Sequence, residues 1–193
     1  MNLRDLKIDS GWSLFLDRDG VINTRILGGY VQRWEQFEFL PGVTEALKRL
    51  SLKFGRIIIV SNQQGIGKGI MTEEELETLH RRMITEIEKT GGRIDRIYNS
   101  PHLEKTRSLM RKPNVGMALM ARRDFPEINF KRSVMVGDSI SDMLFGRRLK
   151  MINVFLSEDI SQIRKNHHCI DFVFPDLISF AETISNEDQN RNQ

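Results

Sequence analysis

Between Trp12 and Asn23 the chain reads WSLFLDRDGVIN, an apolar run that stops at Asp17 and continues through Arg18, Asp19 and Gly20. A short, continuous apolar run suits a strand buried on both faces, as in a parallel sheet. Such a strand delivers two carboxylates to one rim of the sheet, where their mutual repulsion is a cost. A bound divalent cation and a phosphate-bearing substrate would offset it. In open α/β sheets ligands bind beyond the carboxyl ends of the strands, which is where this pair falls.

The rest of the chain repeats the theme of short apolar runs separated by helical patterns. Strands are predicted at Leu14–Leu16, Arg56–Val60, Ile94–Tyr98, Ser133–Val136, Met151–Phe155 and Phe172–Phe174. After Pro41-Gly42, Val43, Ala46, Leu47 and Leu50 fall on one helical face. Thr72 and Glu75 form a capping-box pattern, and Leu76, Leu79, Met83 and Ile87 form the stripe behind it, ended by Gly91-Gly92. Further helices are expected at Asn114–Asp124, Ile140–Arg148 and Asp176–Ile184. The fold class is α/β: a Rossmann-like three-layer sandwich with a mostly parallel central sheet. One domain is expected over 1–185, with 186–193 a polar, disordered tail. The intervals between Asp17, Ser61 and Lys112 are used up by single helices, a strand and loops. They leave no room for a separate cap domain, so the site should be open.

The 193 residues carry a net charge of +3 without a basic stripe, which fits a solvated surface better than a nucleic-acid-coating protein. Cys169 is the one cysteine, so no disulfide forms within the chain and a reducing compartment is expected. No segment approaches the roughly 20 apolar residues needed to span a bilayer. A cytoplasmic monomer without a membrane partner is the expectation. His80, beside an apolar helical stripe, and His167-His168-Cys169 are read as structural rather than metal-binding.

The predicted strand ends gather residues suited to phosphoryl transfer. Asp17 can act as nucleophile if its charge is screened, and a second carboxylic acid at Asp19 can protonate the leaving alkoxide. Lys112, the Ser61 hydroxyl and amides around Arg18, Asp19 and Asn62 can hold the non-bridging oxygens. Asp138 would complete a Mg²⁺ site with Asp17. One helical turn on, Asp142 could hold Asp138 or a metal-bound water. Arg111 is a candidate contact for the distal part of a substrate. NQQGIGKG at Asn62–Gly69 is not a nucleotide-binding fingerprint, because Lys68 has no following Ser or Thr.

From Leu14 to Asn153 these motifs, in this order, resemble the haloacid dehalogenase superfamily of phosphatases. The nearer likeness is to its minimal-cap branch, which holds heptose bisphosphate and histidinol-phosphate phosphatases. It rests on FLDRDGVIN, GYV at Gly29–Val31, FEFLPGV at Phe37–Val43, NQQGIGKG, SPHL at Ser100–Leu103 and RKPNVGM at Arg111–Met117. The resemblance implies that Asp17 forms an aspartyl-phosphate and that Asp19 is general acid and then base. It implies that Ser61 and Lys112 grip the phosphoryl group, and that Asp17, the Asp19 carbonyl and Asp138 ligate Mg²⁺.

One departure stands out. The related phosphatases carry a zinc site before RKP, built from a Cys-x-His and a Cys-x-Cys pair. Here the matching positions are Ser100, His102, Ser108 and Met110, and one histidine cannot build a tetrahedral zinc site. No structural zinc is expected, and the loop must be held by packing and hydrogen bonds or move. The substrate implied is a small phosphorylated metabolite, first a heptose bisphosphate, with histidinol phosphate as a rival. NQQGIGKG and RKPNVGM also resemble the phosphatase domain of polynucleotide kinase. A nucleic-acid 3′-phosphatase therefore stays open as a disfavoured alternative, since no strand-binding surface is evident.

Overall fold

The protein is described by a computed structural model covering residue 3 and residues 6–185. Its first strand, β1 (Ser13–Leu16), lies inside the sheet rather than at an edge. The chain builds outward from it to β2 (Arg56–Asn62) and β3 (Arg96–Ser100). It then crosses back to β4 (Ser133–Gly137), β5 (Ile152–Leu156) and β6 (Phe172–Phe174) on the other side. The order is β3-β2-β1-β4-β5-β6 and every pairing is parallel. Strand order therefore reverses between β1 and β4, and the crevice at their carboxyl ends is the expected ligand position for this topology.

Alternation along the strands separates two cores. Leu14, Leu16, Ile57, Ile59, Val134 and Val136 face one layer, made by α1 (Val43–Ser51), α3 (Glu73–Lys89) and α7 (Leu177–Ser185). Phe15, Ile58, Val60, Met135 and Phe155 face the other, made by α4 (Gly116–Asp124) and α5 (Ile140–Leu149). This is the three-layer sandwich that the apolar runs implied. With both faces covered, the central strands can be apolar at every position.

The differences from the sequence reading lie where polar residues carry backbone structure. β3 runs two residues later than predicted, because Asn99 and Ser100 pair with Ser61 and Asn62. For the same reason β2 extends to Asn62, which places Ser61 in the strand. The glycine-rich stretch after it contains a helical turn, α2 (Gln64–Gly67). A six-residue helix, α6 (Ile160–Lys165), is too short for its apolar period to show. Asp159 caps it through the amides of Ser161 and Gln162. The predicted tail, 186–193, lies outside the described residues. Among the described residues no helix is long and apolar enough to cross a membrane.

The capping box at the start of α3 forms in full. The Glu75 amide donates to Thr72 Oγ1 at 3.1 Å, and the Thr72 amide donates to Glu75 Oε2 at 2.7 Å. Thr72→Ala should cost about 1 kcal/mol and lower the melting temperature by roughly 2–4 °C. An unchanged melting temperature would show that the cap contributes nothing.

Candidate active site

The crevice between β1 and β4 is organised around a buried ammonium. Asp17 leaves β1 with its amide still bonded to the Val136 carbonyl at 3.0 Å, so its position is fixed by the sheet. Lys112 enters from the loop before α4. Its Nζ lies 2.9 Å from Asp17 Oδ1, 2.6 Å from Asp142 Oδ1 and 2.7 Å from the Val60 carbonyl. Burial alone would lower the Lys112 pKa, but Asp142 and Asp17 overcome it and hold the ammonium charged. Asn62 clamps the lysine backbone: Lys112 N donates to Asn62 Oδ1 at 3.0 Å and Asn62 Nδ2 donates to the Lys112 carbonyl at 3.1 Å. Asp142, expected to hold Asp138 or a metal-bound water, makes its contacts with Lys112 and Ser139. One oxygen holds Lys112, and the other accepts from the Ser139 amide and hydroxyl, capping α5.

Asp19 sits in a shell of donors. Arg18 reaches it through two N–H groups, with Nη2 at 2.8 and 2.9 Å from the two oxygens. Asn23 Nδ2 donates at 2.9 Å and Gln63 Nε2 at 2.8 Å. Burial pushes the Asp19 carboxyl up, but Arg18 and the other donors outweigh it and hold the group below its ordinary value. In this state Asp19 is a carboxylate, the form needed to accept a proton from water. Serving as acid requires it to gain a proton once a phosphate dianion adds negative charge beside it.

Arg18 itself corrects an expectation. It was expected among the phosphate-binding residues, yet its amide donates to Asp17 Oδ1 at 2.7 Å and its fully buried guanidinium faces Asp19 and His80. Arg18 therefore positions the two carboxylates instead of facing the cleft. His80 lies 3.2 Å from Arg18 Nη1. Burial, then the Arg18 charge, lower its pKa to about 3, so it stays neutral and accepts that bond.

Asp138 follows β4 and turns toward Asp17. Burial first, and then Asp17 and Asp142, push its pKa up to about 7 against the pull of Arg25. Asp17 is pushed up to about 6, chiefly by burial, which outweighs the attraction of Lys112. Two carboxylates held unfavourably charged fit a divalent cation. Among the described residues, oxygens of Asp17, Asp138 and Asp142 lie within 4.8 Å of one another. Asp142 is taken by Lys112 and the helix cap, which leaves Asp17, Asp138 and the Asp19 carbonyl as the hard-oxygen set. Gly20 makes this approach possible: its φ is +89°, and a Cβ there would overlap Asp138 Oδ2.

The cleft above these groups measures about 460 Å³. Its lining includes Ser61, Arg25, Tyr30, Lys68 and Arg111. Ser61 Oγ accepts from Gln63 Nε2 at 2.8 Å. Arg111 faces this cleft and an adjoining hollow, and its Nη1 donates to the His102 carbonyl at 3.3 Å. The loop that carries zinc ligands in relatives is fastened differently here. Ser100 Oγ lies 3.3 Å from His102 Nδ1, Asn114 Nδ2 bonds the Ser108 carbonyl at 3.0 Å, and Met110 packs on the second core. The sequence reading gathered Asp17, Asp19, Ser61, Lys112 and Asp138 correctly onto one rim. It read His80 as structural, which its buried contact with Arg18 fits, and passed over Asn23, Gln63 and Arg25. Asn23 and Gln63 stand inside quoted motifs, whereas nothing in the sequence pattern marks Arg25.

The sequence profile of the polynucleotide kinase 3 phosphatase family matches residues 16–185. A D-glycero-α-D-manno-heptose-1,7-bisphosphate 7-phosphatase from Mycobacterium tuberculosis is 42% identical over 132 residues, 68% of this chain and 70% of that protein. The D-glycero-β-D-manno-heptose-1,7-bisphosphate 7-phosphatase of Escherichia coli K12 is 39% identical over 138 residues, covering 68% and 71%. A D,D-heptose 1,7-bisphosphate phosphatase from B. bronchiseptica, solved with magnesium and phosphate, superposes with a TM-score of 0.81. That match is 24% identical and covers 91% of this chain and 99% of that one, and the likeness is one of fold.

Two outcomes follow from this geometry. Folded Asp17 and Asp138 hold protons that the unfolded chain releases above its ordinary value of 3.8, so without metal stability should fall as pH rises to about 7. A divalent cation removes that penalty, so the rise in melting temperature on adding Mg²⁺ should grow from about pH 5 to about pH 8. A constant rise across that range would contradict it. Gly20→Ala should weaken Mg²⁺ binding roughly tenfold or more, measured by calorimetry, and unchanged affinity would sink the role given to Gly20.

Proposed function

This chain belongs to the polynucleotide kinase 3 phosphatase family of haloacid dehalogenase-like phosphatases and is itself a phosphatase, and we propose that its substrate is a heptose 1,7-bisphosphate. The observation that carries the mechanism is the setting of Asp17. Its Oδ1 is pinned by Lys112 and the Arg18 amide, while Oδ2 is left on the side of Arg25 and the cleft. Asp17 Oδ2 attacks phosphorus, the ester P–O bond breaks, and the leaving alkoxide takes its proton from Asp19. The resulting aspartyl-phosphate is opened by water. The water oxygen bonds to phosphorus, its proton passes to Asp19, and Asp17 and inorganic phosphate are released. Lys112 and the Ser61 hydroxyl stand beside the transferred group throughout. Mg²⁺ held by Asp17, Asp138 and the Asp19 carbonyl would supply compensation for the phosphoryl oxygens. No structural zinc is assigned, since Ser100, Ser108 and Met110 offer no ligand set.

The substrate reading is supported by the relatives and by the charge of the cleft. Arg25, Lys68 and Arg111 give it more positive charge than one phosphate needs, which suits an ester with a second phosphate. Histidinol phosphate, which carries an amine and an imidazole and no second phosphate, suits this lining less. The family's description favours one further reading, a nucleic-acid 3′-phosphatase, whose backbone the same cations could serve. The heptose-acting relatives near 40% identity weigh for the sugar. A single copy supplies every side chain used, so we read the active form as a monomer, and a chain with one cysteine and no internal disulfide suits the cytoplasm.

A substrate panel tests this. Heptose 1,7-bisphosphate should exceed a heptose monophosphate in kcat/KM by roughly tenfold or more, the value of one lost charge-assisted contact. Histidinol phosphate and a 3′-phosphorylated oligonucleotide should lie below both. An oligonucleotide that outran every metabolite would overturn the assignment. Asp17→Asn should abolish hydrolysis of every ester, and retained turnover would exclude Asp17 as the nucleophile.

A further inference from the structure

Arg25 lies on the loop after β1, in a stretch with no regular structure. Its Nη2 is 2.7 Å from Asp138 Oδ1, 3.0 Å from the Asp19 carbonyl and 3.9 Å from Asp17 Oδ2. Those are the three groups assigned above to the divalent cation. A guanidinium nitrogen and a Mg²⁺ at about 2.1 Å from its oxygens cannot share the space between them. The side chain is 40% exposed, and the loop tip beyond it is open, with Leu27 91% exposed. Arg25 also lines the cleft together with Tyr30, Lys68 and Arg111. One short rotation therefore separates the carboxylates from the substrate space.

Charge favours the exchange. With all four ionised, Asp17, Asp19, Asp138 and Asp142 face the cations Arg18, Lys112 and Arg25, an excess of one negative charge. Replacing the single charge of Arg25 by a divalent ion balances the cluster and frees the guanidinium. Lys112 and Arg18 cannot leave in the same way, because both are buried with all their partners around them. Arg25 alone among these cations stands between protein and solvent.

We infer that Arg25 is a built-in competitor of the catalytic cation, expelled by it into the cleft, where it becomes a ligand for the substrate's phosphate. This rests on the metal-dependent phosphatase reading and adds to it a residue whose availability to the substrate depends on the metal. The consequence is ordered assembly. Before the metal binds, Arg25 stands at the edge of the cleft with its guanidinium engaged by Asp138. Once it binds, that guanidinium is free for a substrate phosphate beside Lys68 and Arg111.

The test measures binding rather than turnover. Mn²⁺ affinity is read by electron paramagnetic resonance on the full chain and on Arg25→Ala and Arg25→Lys. Apparent metal affinity is reduced by the fraction of time the site is blocked, so a guanidinium docked nine times in ten predicts roughly tenfold tighter Mn²⁺ binding in Arg25→Ala. Arg25→Lys, which keeps a charge but loses the fork, should fall between. With saturating Mg²⁺, inorganic phosphate should bind more weakly to Arg25→Ala than to the unaltered chain. Equal or weaker Mn²⁺ binding by Arg25→Ala overturns the competition, and unchanged phosphate affinity overturns the transfer into the cleft. Absence of Mn²⁺ binding to both the unaltered chain and Arg25→Ala would instead overturn the metal reading itself, so the two failures are separable.

Discussion

A charged amine with no access to water is tolerable only where acceptors surround it, and Lys112 has three: Asp17, Asp142 and the Val60 carbonyl. Much of the site depends on that arrangement. It ties the loop before α4 to β1, β2 and the start of α5, so four separate stretches of chain meet at one atom. It orients Asp17 by occupying one carboxylate oxygen, and it engages Asp142 so that this residue does not become a metal ligand. Removing the ammonium would leave two buried carboxylates facing one another without a counterion, a destabilising change of the kind seen when one partner of a buried pair is deleted.

The sheet topology determines where this happens. Because β1 and β4 are neighbours whose chains leave in opposite directions across the sheet, their carboxyl ends open onto a common crevice. Asp17 and Asp138 are the first residues beyond those two strands, and β2 brings Ser61 alongside. The carboxylates are then graded by their surroundings. Asp19, bonded by Arg18, Asn23 and Gln63, is held ionised. Asp17 and Asp138, buried with fewer donors, are raised toward neutrality and call for a cation. Similar side chains thus take different roles, set by how many N–H groups each one meets.

The sequence revealed the parts of this design that periodicity and strand endings report. Apolar runs located the six strands, and the Thr72–Glu75 box located the longest helix. DRDG, Ser61, Lys112 and GDSISD placed the chemistry on one rim. What it concealed were contacts made across long separations by polar side chains with no pattern of their own. Arg18 is expected at the phosphate through its backbone amide, yet that amide donates to Asp17 and its guanidinium turns inward to Asp19 and to His80 on α3. Arg25 sits in a loop without periodicity, and only the folded chain brings it to Asp138. β3 was displaced by two residues because its final pairings are made by Asn99 and Ser100, whose polarity does not advertise a strand.

The proposed nucleophile is Asp17, with Lys112 and the neighbouring carboxylates arranged to make it one. Acid quenching during turnover, followed by peptide mass spectrometry, tests it directly. The peptide that contains Asp17 should gain the mass of one phosphoryl group, borne by Asp17 and not by Asp19. Phosphate released at full rate with no phosphorylated Asp17 at any quench time would contradict it.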